Sequence, residues 1–323
     1  MKQQRIVILG DWQGYYSYFL YGAMEGAIRN GAWVRPVYLF QGNLGEVMMQ
    51  IKWFKPHLIL AHMLFNTKPH NIEDVLDMLC GLRRRGIKVV YHCGDAREEP
   101  RYKNKIDDVV DFVLLNHGLL DKFSKIWNVP TYHWPYPCLY QKGIADFDEE
   151  FKHPVVFTGQ LSDAGVHSNR TKFVKKLKEK IDVKVYPNSE IGNTRFLTAE
   201  VASSADTILG VQMERQIPQY MDVRPFQYIG AGALYFHDDC AQMREFFKSD
   251  KHFVEYKTGD VDDYIKKYEY YVEKHPDKGQ KIRLEGFTFC QSFHGTADRI
   301  KYVMDIASGK EVENRIYLRD LPC

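Results

Sequence analysis

The chain has 323 residues, 45% of them hydrophobic, and 44 basic side chains stand against 42 acidic ones for a formal net charge of +2. That hydrophobic share excludes a disordered chain or a coiled coil and leaves room for two domains of ordinary size. Near-neutrality excludes a protein held to nucleic acid by bulk charge alone, and no apolar stretch approaches the ~18 residues that a membrane span needs.

The opening run, "RIVILG" (5–10), is a buried-strand pattern too short for a signal peptide. Residues 15–31 then repeat apolar positions at helical spacing and stop at Gly31. "VRPVYLF", the helix-like "GEVMMQIKWF" and the strand "HLILAHM" (57–63) follow. The amphipathic "IEDVLDMLCGLRRRG" leads to "IKVVYHCGD" (87–95), and "DFVLLNH" and "DKFSKIWN" add another strand and helix. This alternation predicts parallel strands with helices on both faces. Three prolines in "VPTYHWPYP" (129–137) mark the exit from the unit, and the acidic "IADFDEEF" (144–151) reads as a linker.

The rhythm restarts at "HPVVFTGQ" (153–160) and runs through the basic helix "NRTKFVKKLKEK", the strand "DVKVYPN", the helical "FLTAEVASSAD" and the strand "TILGVQ". "DVRPFQYIGAGALYFHDD" (222–239) then combines a short helix, two glycines and a strand; a strand and a long helical tail close the chain. The expectation is an α/β protein of two doubly wound Rossmann-like domains facing across a cleft, spanning 1–145 and 153–305. Residues 306–323 form a tail that packs back on the first domain. Ligands of such sheets sit at the carboxyl ends of the strands.

Candidate site residues follow from those ends. In the second half, Gly159 ends the first strand, and Arg170 sits at a helix start where a diphosphate would be gripped. Arg224 and Gln227 occupy the first turn of a short helix whose amides and guanidinium suit phosphate, and Gly230 and Gly232 let the chain turn beside it. The "VYPNSEIGN" loop (185–193) is a place to cradle a base.

In the first half, Asp11 ends the opening strand, with Trp12, Tyr15 and Tyr16 placed to stack on a flat acceptor. His62 ends a second strand, and His92, Asp95 and Arg97 a third. Asp95, His92 and Asp11 are the candidate bases for deprotonating an acceptor hydroxyl. The pairs Asp238–Asp239 and "DVDDY" (260–264) read as caps, so no metal is expected. Six scattered cysteines show neither metal-ligand nor disulfide spacing and predict reduced thiols in a cytoplasmic protein. Gly10-Asp11-Trp12 lacks the later glycines of a dinucleotide fingerprint, which weighs against a dehydrogenase.

Over residues 155–305 the sequence resembles the CgeB-like spore-maturation glycosyltransferases. The matching positions are Arg224, Phe226, Gly232, Tyr256, Tyr270, Tyr271, His294 and Arg299; over 1–150 only the architecture agrees. The resemblance implies the GT-B fold, with a nucleotide sugar, most simply a UDP-sugar, as substrate in the C-terminal half and the acceptor in the N-terminal half. It implies no separate cofactor. Related sugar transferases carry two glutamates eight positions apart where this chain has Gln219 and Gln227, the second holding the nucleotide ribose. A glutamine still hydrogen-bonds a hydroxyl but cannot accept as an anion.

The implied activity is metal-independent sugar transfer to a hydroxyl on a glycan, protein, small molecule or DNA base. Two other readings stand beside it: a phage-type DNA base glycosyltransferase, for which "LRRRG" (82–86) and "KFVKKLKEK" (172–180) would supply charge, and an inactive sugar-nucleotide or glycan-binding protein, which Gln219 and Gln227 favour.

Overall fold

The computed structural model describes residues 3–12, 17–39, 43–62, 70–94, 106–138, 143–186 and 195–312. By contacts the chain divides into two units, the first built on Met1–Pro135 and the second on Tyr136–Gly295.

In the first unit, β1 (Arg5–Gly10), β2 (Trp33–Tyr38), β3 (Leu58–His62), β4 (Lys88–Cys93), β5 (Phe112–Leu115) and β6 (Thr131–His133) form, among the described residues, a six-stranded sheet. Its order is β2-β1-β3-β4-β5-β6 and every pair is parallel. The continuous apolar runs of β1, β3, β4 and β5 take the interior places, where both faces are covered. Pro36 has no ladder N–H to give, and its strand, β2, lies at the edge.

The covering helices are α1 (Ser17–Arg29), α2 (Leu44–Phe54), α3 (Ile72–Arg83), α4 (Ile106–Val109) and α5 (Leu120–Trp127). Asn43 and Asn71 start α2 and α3 by accepting from the amides of Glu46 and Glu73. Val47 and Ile51 of α2, Val75 and Leu79 of α3, and Phe123 and Trp127 of α5 close one core over the sheet.

The second unit carries β7 (Val155–Thr158), β8 (Val183–Tyr186), β9 (Thr207–Gly210), β10 (Tyr235–Asp238) and β11 (Val254–Tyr256). They form a parallel sheet in the order β11-β10-β9-β7-β8. Its helices are α6 (Ser168–Lys178), α7 (Arg195–Ser204), α8 (Arg224–Gly230), α9 (Ala241–Phe246), α10 (Val261–Tyr268) and α11 (Pro276–Phe293). Phe173, Val174 and Leu177 of α6 meet Tyr264 and Tyr268 of α10 in a core over one face of this sheet.

In both sheets the first strand lies between the second and the third, so the strand order reverses there. The two switch points are the β1/β3 and β7/β9 edges, where ligands of doubly wound sheets bind.

The division differs from the sequence expectation at its far end. α12 (Thr296–Ala307), assigned by sequence mostly to the second domain, belongs to the first unit and packs on α1. Gly26 makes this possible: a Cβ there would lie 2.5 Å from the Thr296 carbonyl oxygen. Asn30 Nδ2 donates to the Ala297 carbonyl at 2.8 Å, and Trp134 Nε1 donates to the Arg299 carbonyl at 3.0 Å. Most of the expected tail, 313–323, lies outside the described residues.

Candidate active site

The second unit's switch point is built around Arg224. Its Nη1 pairs with Asp222 Oδ2 at 2.5 Å, and its backbone amide donates to Asp222 Oδ1 at 2.9 Å. One carboxylate thus fixes both ends of the residue. The guanidinium lies against Gly159, just past the end of β7, so closely that a Cβ at 159 would fall 2.7 Å from Nη2. Gly159 has φ +138°, a conformation that favours glycine, and its amide donates to the Tyr186 carbonyl. The neighbouring strand end is shaped the same way. Gly210, which ends β9, leaves room that Tyr235 and His237 fill, and its carbonyl accepts from Tyr256 OH at 2.8 Å. Burial, with Asp222 nearby, raises the Tyr235 phenol well above its ordinary pKa, so it stays protonated.

Helix amides contribute less than expected. α8 has seven residues, the Arg224 amide is taken by Asp222, and Pro225 has no N–H. The guanidinium, rather than a row of helix amides, is therefore the positive group at this end. Gln227 follows one turn on and is half-buried. Gln219 stands at φ +57° in the β9–α8 connection, and its buried Oε1 has no hydrogen-bond partner among the described residues.

Two expected donor residues are placed elsewhere. Gly230 and Gly232 lie at the opposite end of α8 from Arg224. Gly230 is packed under Cys138 and Cys290, and Gly232, at φ +86°, turns against Ile144 while its carbonyl accepts from Arg283. Both allow close packing and a turn, and neither stands beside the guanidinium.

Arg170 is buried rather than presented at a helix mouth. It donates to the Gln160 carbonyl, approaches His167 Nδ1 at 3.0 Å and lies over the Phe157 ring, bracing the loop that follows β7. It also lines a cavity of about 120 Å³ at the carboxyl ends of β9, β10 and β11, together with Phe173, Arg215, Asp238, Tyr256 and Thr258. Asp238 was expected as a cap. Instead it is fully buried, pairs with Arg215 and accepts from the Gln212 amide at 2.9 Å. The capping expectation holds for Asp260, which accepts from the Asp263 amide. Among the described residues no group of three His, Cys, Asp or Glu side chains is placed to hold a metal ion.

In the first unit, Asp11 is half-buried at the end of β1 and accepts from Tyr38 OH at 3.0 Å. Trp12, expected to stack on an acceptor, turns inward: its Nε1 donates to the Val37 carbonyl and its ring meets Tyr21 edge-on. His92 and His62 are also corrected. Both are fully buried, their Nδ1 atoms 2.8 Å apart, between Phe19 and, for His92, Trp134. Burial pulls His62 down to about 3 and His92 well below its ordinary value. They are neutral core residues, because the pleat at the ends of β3 and β4 turns them under α1. Asp95, Arg97, Tyr15, Tyr16 and most of the 185–193 loop lie outside the described residues.

Sequence reasoning missed Asp222 and the Asp238–Arg215 pair. Asp222 had a signal: it stands two residues before the arginine, the spacing at which an aspartate accepts from a backbone amide. Two positions of the family resemblance serve packing. His294 is enclosed by Phe226, Phe246, Phe247 and Phe289, and the buried Arg299 donates to the Pro135 carbonyl.

Residues 170–305 match the family model described as glycosyl transferase-like. No curated protein matches the sequence. Among solved structures the chain is similar to an alpha-glucosyltransferase in complex with UDP and a 13-mer DNA containing a HMU base, with TM-score 0.71 and 11% identity, covering 95% of this chain and 100% of that one. It is similar to the DNA-modifying enzyme beta-glucosyltransferase at TM-score 0.58 and 10% identity, covering 94% and 99%. It is also similar to Anabaena Alr3699/HepE in complex with UDP and glucose, at TM-score 0.55 and 11% identity, covering 95% and 100%. Two parallel-sheet α/β domains with these neighbours give the chain the GT-B fold, and the match to the glycosyl transferase-like model falls within its second half.

Proposed function

We propose that the protein is a glycosyltransferase that moves a hexosyl group from a UDP-sugar to a hydroxyl acceptor without metal. The observation that carries the reading is Arg224, pinned by Asp222 and laid over Gly159 at the β7/β9 switch point. A planar, permanently charged group with a fixed orientation stabilises the negative charge that gathers on a departing diphosphate. Gln227, one turn further on, is the residue for the ribose hydroxyls, and Gln219 Oε1 is an acceptor for a sugar hydroxyl. Solved neighbours holding UDP support uridine as the nucleotide, and the glucose bound to HepE supports a hexose.

In the transfer, the bond from the anomeric carbon to the diphosphate oxygen breaks and its electron pair leaves with UDP. The acceptor oxygen bonds to the anomeric carbon and gives up its proton, for which Asp11 at the end of β1 is the proposed base. A reducing, cytoplasmic setting belongs to the same proposal, which the thiols of Cys80 and Cys240 fit. Membership among the CgeB-like enzymes belongs to the same proposal.

The test is release of UDP from UDP-glucose, measured with and without EDTA. Turnover that survives EDTA and is lost in Arg224→Ala supports the reading. Strict dependence on added magnesium, or turnover intact in the variant, sinks it. Tight UDP-glucose binding with no turnover would make this a binding protein, as the glutamines at 219 and 227 would allow.

A second reading of the acceptor rests on a specific observation: two of the solved neighbours act on or bind DNA. Sugar transfer to an oligonucleotide bearing a hydroxymethylated base, and not to its unmodified counterpart, would establish it.

A further inference from the structure

The three most exposed large hydrophobic side chains of the described residues lie together: Trp33 on β2, and Met49 and Trp53 on α2, at the edge of the first sheet and on the face that α2 covers. Tyr21 and Ile28 lie on α1, across the sheet, and Ile144, Phe147 and Leu284 elsewhere. Trp53 is 75% exposed and Trp33 57%, unusual for rings that normally bury most of their area. Three such residues on one face of one edge make a patch of the kind that marks an interaction surface.

The charge around the patch identifies its partner. Residues 33–55 hold Arg35, Lys52 and Lys55 against Glu46, an excess of two cations that equals the net charge of the entire chain. Among the described residues no acid pairs with Arg35, Lys52 or Lys55, and Arg35 Nη2 reaches the neutral Gln50 Oε1 at 3.4 Å. A second copy of the chain would set cations against cations. The guanidinium of Arg35 lies over one face of the Trp53 ring, 5.6 Å from its centroid. A ring backed by a cation, with the indole itself mostly in solvent, is a stacking platform for a planar base, and the lysines beside it suit phosphates.

We infer that the β2–α2 edge of the first unit is a docking surface for single-stranded nucleic acid, with Trp53 stacking on a base and Arg35 and Lys52 meeting the backbone. A duplex keeps its base faces stacked inside and offers this ring only its ends. Pro36 on the edge strand disfavours the alternative of an added β-strand from a protein partner. The surface goes beyond the transfer reaction and holds whether or not the acceptor is a base.

The test is anisotropy of a fluorescently labelled oligo-dT of about 12 nucleotides, titrated with the full chain and no UDP-sugar, at ~50 and ~200 mM salt, within the site sizes of stacking platforms. Binding that weakens with salt, falls about fivefold or more in Trp53→Ala and is retained in Trp53→Phe is expected. Lys52→Gln lowers the salt slope by about 0.7. Circular dichroism melts show that each variant is folded. No binding at low salt, equal binding by Trp53→Ala, tighter binding of the matching duplex, or a dimer in solution that Trp53→Ala dissolves would each overturn the inference. None of these outcomes touches the donor site, which UDP-glucose turnover reports separately.

Discussion

Arg224 occupies the space that a side chain at Gly159 would need, with only 2.7 Å between its Nη2 and a Cβ built there. Gly159→Ala therefore displaces the guanidinium without touching its charge. Hydrogen bonds from a charged donor contribute about 1.5–3 kcal/mol, so UDP affinity is expected to fall roughly tenfold or more. Isothermal titration with UDP checks it, and unchanged affinity would detach Arg224 from the ligand.

The His62–His92 pair makes a prediction about acid stability. A histidine whose folded pKa lies below its unfolded 6.5 binds fewer protons when folded, so its contribution is complete above 6.5 and is lost as pH falls toward about 3. By pH 5 one such group removes about 2 kcal/mol. Denaturant melts at pH 7.5 and 5 should show this loss, and His92→Phe should reduce it. For the same reason neither imidazole should appear as an ionisation in the pH–rate profile between 5 and 8.

Asp238 anchors the β9–α8 connection through Arg215 and the Gln212 amide. Replacing it with alanine leaves a buried amide unbonded and frees Arg215, with a cost of about 2–3 kcal/mol after allowing for the arginine's exposure to solvent. Chemical denaturation measures the loss, and crystallography of the variant should find residues 211–215 rearranged.

Gly26 admits the Thr296 carbonyl between α1 and α12. Gly26→Ala gains helix propensity but meets a backbone atom that cannot swing aside, so a net destabilisation of about 1–3 kcal/mol is expected. A lower Tm with UDP binding intact would place the damage in the first unit, while a Tm at or above wild type would show that the helices separate freely.

Much of this architecture is legible in the sequence, because β1, β3, β4 and β7 are unbroken apolar runs and such runs fit few places other than the middle of a parallel sheet. Arg224 is legible too, as a charge set among aromatic and glycine residues. What escapes is whatever depends on direction or distance. A histidine at a strand end can point to a ligand or under a helix, and local sequence does not distinguish the two for His62 and His92. Gly230 reads as a turn beside a ligand, whereas its reason is a pair of cysteine sulfurs from remote parts of the chain. α12 is an ordinary amphipathic helix in sequence, and nothing within it names α1 as its partner.

That return of α12 has a consequence for synthesis. Residues 136–295, which build most of the second unit, are synthesised before Thr296–Ala307. The amino-terminal sheet therefore waits, its α1 surface around Gly26 uncovered, while most of the second unit is made, until the carboxyl-terminal helix arrives.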